Sequence, residues 1–146
     1  MREDLPIETT HEVRDRCLCL HLQRAARATA RRFDLALRET GLNNGQFSIL
    51  MALNRPEPPK LGEVASLLAM DRTTLTAALK PLERRGLVAI GPDPDDRRSR
   101  RLSLSDAGRD ILVQAVPIWR RTHDEVDALL GDAPDLRDGL NGLAFG

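Results

Sequence analysis

Two short segments gather the side chains best suited to gripping a polyanion. In RTTLTAALK, residues 72–80, helical spacing turns Leu75, Ala78 and Leu79 to one side, joined by Leu82, and leaves Arg72, Thr73, Thr76, Ala77 and Lys80 on the other. Small threonine and alanine side chains let a helix sit deep in a DNA major groove roughly 12 Å wide, where threonine hydroxyls and methyls meet base edges. The cations at either end, Arg72 and Lys80, then flank that face. In RRSRR, residues 97–101, alternate side chains such as Arg98 and Arg100 leave an extended chain on one side, and guanidinium groups suit the negative potential of a minor groove. Asp95 and Asp96 come directly before them, and a free carboxylate there repels phosphate, so Asp96 is expected to pair with Arg98 and aim it. Taken singly, each segment reads more readily as a solvated surface. Their order in the chain is what favours nucleic acid.

That order follows from the elements around them. Leu18, Leu22, Ala25, Ala26, Thr29, Phe33, Ala36 and Leu37 recur at three- and four-residue steps, which predicts one amphipathic helix over residues 14–39, ended by Gly41. Asn43 and Asn44 are candidate caps for a second helix from Gln46 to about Asn54, which the proline cluster Arg55–Pro59 stops. Leu61, Val64, Ala65 and Leu68 line a third helix, and Asp71 caps a fourth that runs to about Arg85, with Gly86 closing it. Pro81 falls inside this fourth helix, beyond its outward-facing turns, and removes the bond to the Ala77 carbonyl. Two β-like runs, Leu87–Ile90 and Arg101–Leu104, flank GPDPDDRRSR and predict a hairpin with a long basic loop. A long helix from Asp106 to Gly131, bent at Pro117, and a terminal helix over Pro134–Leu143 complete the string. The fold class is mainly α with a small β-hairpin wing. Two helices joined by a tight turn and followed by a basic-tipped hairpin make a winged helix-turn-helix, residues 41–105, set within a helical dimerisation region of residues 1–40 and 106–146.

Composition narrows the remaining classes. At 146 residues and 41% hydrophobic, the chain suffices for one core without disulfides or a structural metal. The longest apolar run, Ile49–Leu53, is far short of the roughly 18 residues of a membrane helix, and the opening MREDLPIETTHEVRDR lacks the apolar stretch of a secretory signal. Cys17 and Cys19, two apart on a helix, point apart and fit a reducing compartment, so a cytoplasmic location is expected. No nucleophile with its base and no phosphate-cradling glycine loop is present, which argues against an enzyme, and no cofactor is expected. The 22 basic and 22 acidic side chains cancel, yet residues 41–105 hold 10 basic against 7 acidic groups and residues 106–146 hold 4 against 8. A local field steers a polyanion even when the sum is zero.

With these residues in place, the chain resembles the MarR-type transcriptional regulators over nearly its whole length. QRAARATARRFDLALRETGLNNGQFSILMAL resembles the first two helices of that family, MDRTTLTAALKPLERRGLV its recognition helix, and DPDDRRSRRLSLSDAGR its wing and the entry to its long helix. The resemblance implies a major-groove helix carrying Arg72, Thr73, Thr74, Thr76 and Lys80, and a wing in which Asp96 and Arg98 form an Asp-x-Arg pair beside Arg97 and Arg100. It also implies a homodimer on a palindromic operator of double-stranded DNA, acting mostly as a repressor released by a small ligand such as an aromatic carboxylate. Leu136, Leu140, Leu143 and Phe145 lack an obvious core of their own and suit a two-fold partner, or else pack on the chain's own long helix.

By position in such proteins, His21, Arg24, Met51, Trp119 and Arg120 are candidate walls of an inducer cavity, where a cation beside apolar walls suits an aromatic carboxylate. LCLHLQRAAR is also similar to the organic-hydroperoxide-sensing branch and implies a reactive thiol at Cys19, without the tyrosines that serve that branch; an inert buried cysteine is the other reading. For metal, Cys17 with His21 and His123 with Asp127 are helical pairs that nothing completes to a tetrahedral set. The remaining alternative is a helical protein-interaction module that does not bind DNA.

Overall fold

The computed structural model describes residues 2–146. The elements in order are α1 (Ile7–Arg16), α2 (Leu18–Leu37), a 3-10 turn (Arg38–Thr40), α3 (Asn44–Ala52), α4 (Leu61–Leu67), α5 (Arg72–Arg84), β1 (Val88–Pro92), β2 (Arg100–Leu104), α6 (Asp106–Leu130) and α7 (Leu136–Phe145). The mainly helical fold with one antiparallel hairpin is as the sequence predicts. The hairpin register pairs Val88 with Leu104, Ile90 with Leu102 and Pro92 with Arg100, so both strands run further toward the tip than their β-like residues indicate.

Caps and turns account for most boundaries. Asn43 and Gln46 form a reciprocal capping box at α3, Asp71 accepts from the Thr74 N–H at α5, and Ser105 accepts from the Gly108 N–H at α6. Between α4 and α5 the chain turns in four residues. There Ala69 takes φ 52°, and the N–H of Met70 reaches back to the Ala65 carbonyl at 2.9 Å. This is a left-handed helix-end motif that usually belongs to glycine. Gly86 performs the same turn after α5 with φ 72°.

The core is made where α2 to α6 and the hairpin meet, around Leu37, Leu50, Val64, Leu75, Leu79, Leu82 and Leu102, all fully buried. The α6 helix is pressed hard against the hairpin. A β-carbon on Gly108 would lie 2.3 Å from the Leu87 carbonyl oxygen, so only glycine fits there. The Ser105 hydroxyl, which donates to the Gly86 carbonyl at 2.6 Å, ties the end of α5 to the start of α6.

Two expectations about the N-terminal region are corrected. The helix expected over 14–39 is two helices broken at Cys17, whose ψ of 107° is extended and which ends α1 and begins α2. The α1 helix itself, residues 7–16, was not anticipated. Its mean hydropathy is low and it buries no residue, so apolar periodicity had nothing to register. Pro81 leaves α5 running on to Arg84, because the bond it deletes lies in the last turns.

Candidate nucleic-acid interface

The α5 helix packs Leu75, Leu79 and Leu82 into the core and turns Arg72, Thr73, Thr74, Thr76 and Lys80 outward, all exposed. Two of its threonines have local duties. The Thr74 hydroxyl donates to Asp71 Oδ2 at 2.7 Å, and the Thr76 hydroxyl donates to the Arg72 carbonyl at 2.7 Å. Their protons are therefore used inside the helix. Each keeps acceptor lone pairs and a methyl group, and Thr73 has no such bond. The Asp71 carboxyl is held below its usual range by the Thr74 N–H and then the Thr74 hydroxyl, so it caps the helix as an anion.

The wing faces this helix across an open cleft of about 920 Å³. Arg72 from α5 and Asp96, Arg98, Ser99 and Arg100 from the wing line it, with Lys60 before α4 and Gly62, Glu63 and Ser66 on α4. Four cations against two carboxylates leave the cleft positive. Four of the nine sequence-predicted positions, Arg72, Asp96, Arg98 and Arg100, are thus brought to one place. Thr73, Thr74, Thr76 and Lys80 stand on the neighbouring helix face, and Arg97 is exposed in the loop.

The expected side-chain pair of Asp96 and Arg98 is corrected. Asp96 Oδ1 accepts from the backbone N–H of Arg98 at 2.9 Å, which tightens the turn and leaves the guanidinium free of that contact. The carboxylate that does pair with cations is Asp93, buried at the base of the loop. Lys60 Nζ lies 3.6 Å from it and Arg101 Nε 3.5 Å, while Asp93 Oδ1 accepts from the Asp95 N–H at 3.0 Å. That N–H first, then Arg101 and Lys60, outweigh burial and hold the Asp93 carboxyl below its usual range. Arg101 also donates to the Pro58 carbonyl at 2.9 Å, and the Leu102 N–H to that of Pro59 at 2.9 Å, so the segment before α4 runs alongside β2. Lys60, Asp93 and Arg101 are the members that sequence reasoning missed. Among three aspartates in four positions, only the apolar side of the loop distinguishes the inward one, and spacing alone does not reveal it.

Of the candidate cavity walls, Met51, Trp119 and Arg120 line one apolar cleft of about 520 Å³ between α3 and α6, together with Phe47, Leu67 and Val116. His21 and Arg24 line none of the described cavities. His21 Nδ1 instead sits 2.8 Å from the Cys17 carbonyl, and Arg24 is exposed on α2. Trp119 is half-buried, stacked on Phe47 with ring centres 6.0 Å apart and tilted against His123 at 4.9 Å. Phe33, Phe47, Trp119 and His123 also line a smaller open cleft of about 280 Å³. Cys19 is exposed rather than buried, and Cys17 is half-buried at the helix break. Among the described residues no group of three or more His, Cys, Asp or Glu converges, and no helix is long and apolar enough to cross a membrane.

Known proteins share this fold. The MarR family model matches residues 42–99, which hold α3 to the wing tip. The chain is 38% identical over 101 residues to the transcriptional activatory protein BadR of Rhodopseudomonas palustris, a match covering 66% of this chain and 56% of BadR. The M. tuberculosis transcriptional regulator MosR, solved in complex with DNA, superposes with a TM-score of 0.81 at 38% identity over 88% of this chain and 93% of MosR. CouR of Rhodococcus jostii RHA1, solved with p-coumaroyl-CoA, gives a TM-score of 0.73 at 26% identity over 90% and 94% of the two chains. An identity of 38% across nearly all of a DNA-bound regulator, with the MarR family model matching residues 42–99, establishes that this protein belongs to the MarR family of DNA-binding transcriptional regulators.

Proposed function

We propose that the protein is a homodimeric repressor that reads a short palindrome and leaves it when a small aromatic carboxylate binds. The observation that carries this reading is the shared cleft: Arg72 on α5 and Arg98 and Arg100 on the wing line one positive concavity, so a duplex seated there meets helix and hairpin at once. Thr73, Thr76 and Lys80 reach the major groove and Arg98 the adjacent minor groove. Residues 41–105 form the reading unit, and residues 1–40 and 106–146 bring two such units together. The exposed Leu140, Leu143 and Phe145 support that pairing, which sets half-sites roughly 10 base pairs apart.

Met51, Trp119 and Arg120, gathered between α3 and α6, support an aromatic acid as the releasing ligand, with Arg120 facing its carboxylate. This cleft abuts the helix pair that leads into α5, so its filling reaches the reading head through α3 and α4. Selection of bound duplexes from a random pool tests the reading, followed by titration of the selected duplex with the Arg98→Ala variant. A loss of about 1–3 kcal/mol, or roughly 5- to 150-fold in affinity, is expected for a groove-reading arginine. Unchanged affinity contradicts wing insertion. Release of the duplex by an aromatic carboxylate, lost in Arg120→Ala, is the matching result for the ligand.

A further inference from the structure

Arg72 opens α5 and is exposed like Thr73 and Thr76, but its side chain takes its own course. Its guanidinium lies back across the first turn of α4, against Gly62. A β-carbon at Gly62 would fall 2.7 Å from Arg72 Nη2, 3.3 Å from its Cζ and 3.6 Å from its Nε, so the whole planar group occupies the space that any other residue would fill. Nothing in the backbone of α4 asks for glycine here, since Gly62 has an ordinary helical conformation and glycine weakens a helix relative to alanine. The neighbouring side chains are those of the cleft: Lys60, Arg98 and Arg100, with Glu63 and Asp96 as its two carboxylates.

From this we infer that Gly62 is a positioning residue that seats the Arg72 guanidinium facing the wing, and that Arg72 so seated grips the DNA backbone rather than a base edge. An arginine has among the largest rotamer freedoms of any side chain, and ordering it on binding opposes affinity. Resting against Gly62, the Arg72 guanidinium has its rotamers restricted before DNA arrives, and it lines the same cleft as Arg98 and Arg100. Cations on both walls of one groove suit the oxygens of a phosphodiester passing between them, to which a planar fork binds in bidentate fashion. The division of labour that results is sharp. Thr73, Thr76 and Lys80 meet the bases, whereas Arg72 joins the wing in holding the strand.

The inference rests on the DNA-reading role proposed above, and its test separates the two. Gly62→Ala is a favourable change for an α-helix, and the atoms it meets belong to the far end of a flexible side chain, so the variant folds and its unfolding midpoint is not lowered. In the free protein, 15N relaxation of the Arg72 Nε–H group should show restricted motion that becomes fast in Gly62→Ala. Equal motion in the two proteins overturns the seat, whether or not the chain binds DNA. With the selected duplex and single-base variants of it, Arg72→Ala should weaken binding by a similar factor on every sequence and reduce the slope of log affinity against log salt by about 1. Gly62→Ala should show part of that loss, and Gly62→Ala with Arg72→Ala no more than Arg72→Ala alone. A loss confined to one base pair makes Arg72 a base reader and refutes the backbone role. A further loss on adding Gly62→Ala to Arg72→Ala shows that Gly62 acts by another route. The Arg98→Ala titration reports on the DNA reading independently of both.

Discussion

The middle of the chain buries Leu50, Val64, Leu75, Leu79, Leu82 and Leu102 almost completely, whereas α1 and α7 bury nothing and leave Leu136, Leu140, Leu143 and Phe145 facing outward. Both α5 and α7 are helical and carry leucines at helical spacing. The difference lies in what the leucines meet. Around α5 they meet α4, the hairpin and one shared buried cluster. At the ends they meet water, a state that apolar area at roughly 25 cal/mol per Å² opposes. A well-packed centre beside apolar ends left bare is the pattern on which the proposed pairing of two chains rests.

The largest test of the contrast is a pair of leucines. Leu79→Ala removes a fully buried side chain between α5 and the rest of the core and should cost about 2–5 kcal/mol, read from denaturant unfolding. Leu143→Ala, made on a side chain 60% exposed, should cost the isolated chain little while weakening association at micromolar concentration in sedimentation. Equal costs in the two unfolding curves break the comparison. The joint between the regions is next in size. Ser105 caps α6 and also donates to the Gly86 carbonyl, so Ser105→Ala should lose about 0.5–2 kcal/mol, visible as a lower Tm. The helix-turn-helix corner offers an effect of opposite sign. Ala69 holds φ 52°, a conformation that costs an L-residue about 1–2 kcal/mol, so Ala69→Gly should raise stability by up to that amount. A lower Tm in that variant contradicts the strain.

The pH response is the smallest. Asp34, Asp71 and Asp93 are held below the usual carboxylate range: Asp34 by the backbone and side-chain N–H groups of Asn44, Asp71 by Thr74, and Asp93 by the Asp95 N–H and its two cations. A group whose folded pKa is depressed stabilises the fold above its unfolded pKa, about 3.9, and that share is lost as pH falls through the lower folded value. These three groups therefore leave stability level from pH 7 to about 5 and withdraw it below about 4. A stability that falls between pH 7 and 5 points to other groups.

Legibility in the sequence followed the same division. Caps, glycines and prolines marked the reading head well: Asn43, Asp71, Gly86 and the GPDPDDRRSR loop each ended or began an element within about two residues of its place. Those residues act on their own neighbours, and local chemistry is what a sequence displays. The helix break at Cys17 carries no proline or glycine, and α1 has no buried face, so nothing local announced either. At the site, the outward face of α5 and the arginines of the wing followed from periodicity. The buried Asp93 with Lys60 and Arg101, and the seat of Arg72 on Gly62, join residues about 10 to 40 positions apart, a pairing that exists only after folding. The cavity walls divided in the same way. Met51, Trp119 and Arg120 share a cleft, whereas His21 and Arg24 lie beyond the break at Cys17, on the part of α2 that buries no residue.

DNA binding by the cleft between α5 and the wing is most directly tested by fluorescence anisotropy of the wild-type protein with a selected duplex, repeated from about 50 to 200 mM salt. Log affinity should fall linearly with log salt, at a slope of about 0.9 per phosphate neutralised, and the slope should shrink when Arg98 and Arg100 are replaced by alanine. Binding that ignores salt, or a slope indifferent to the loss of both arginines, would contradict the account.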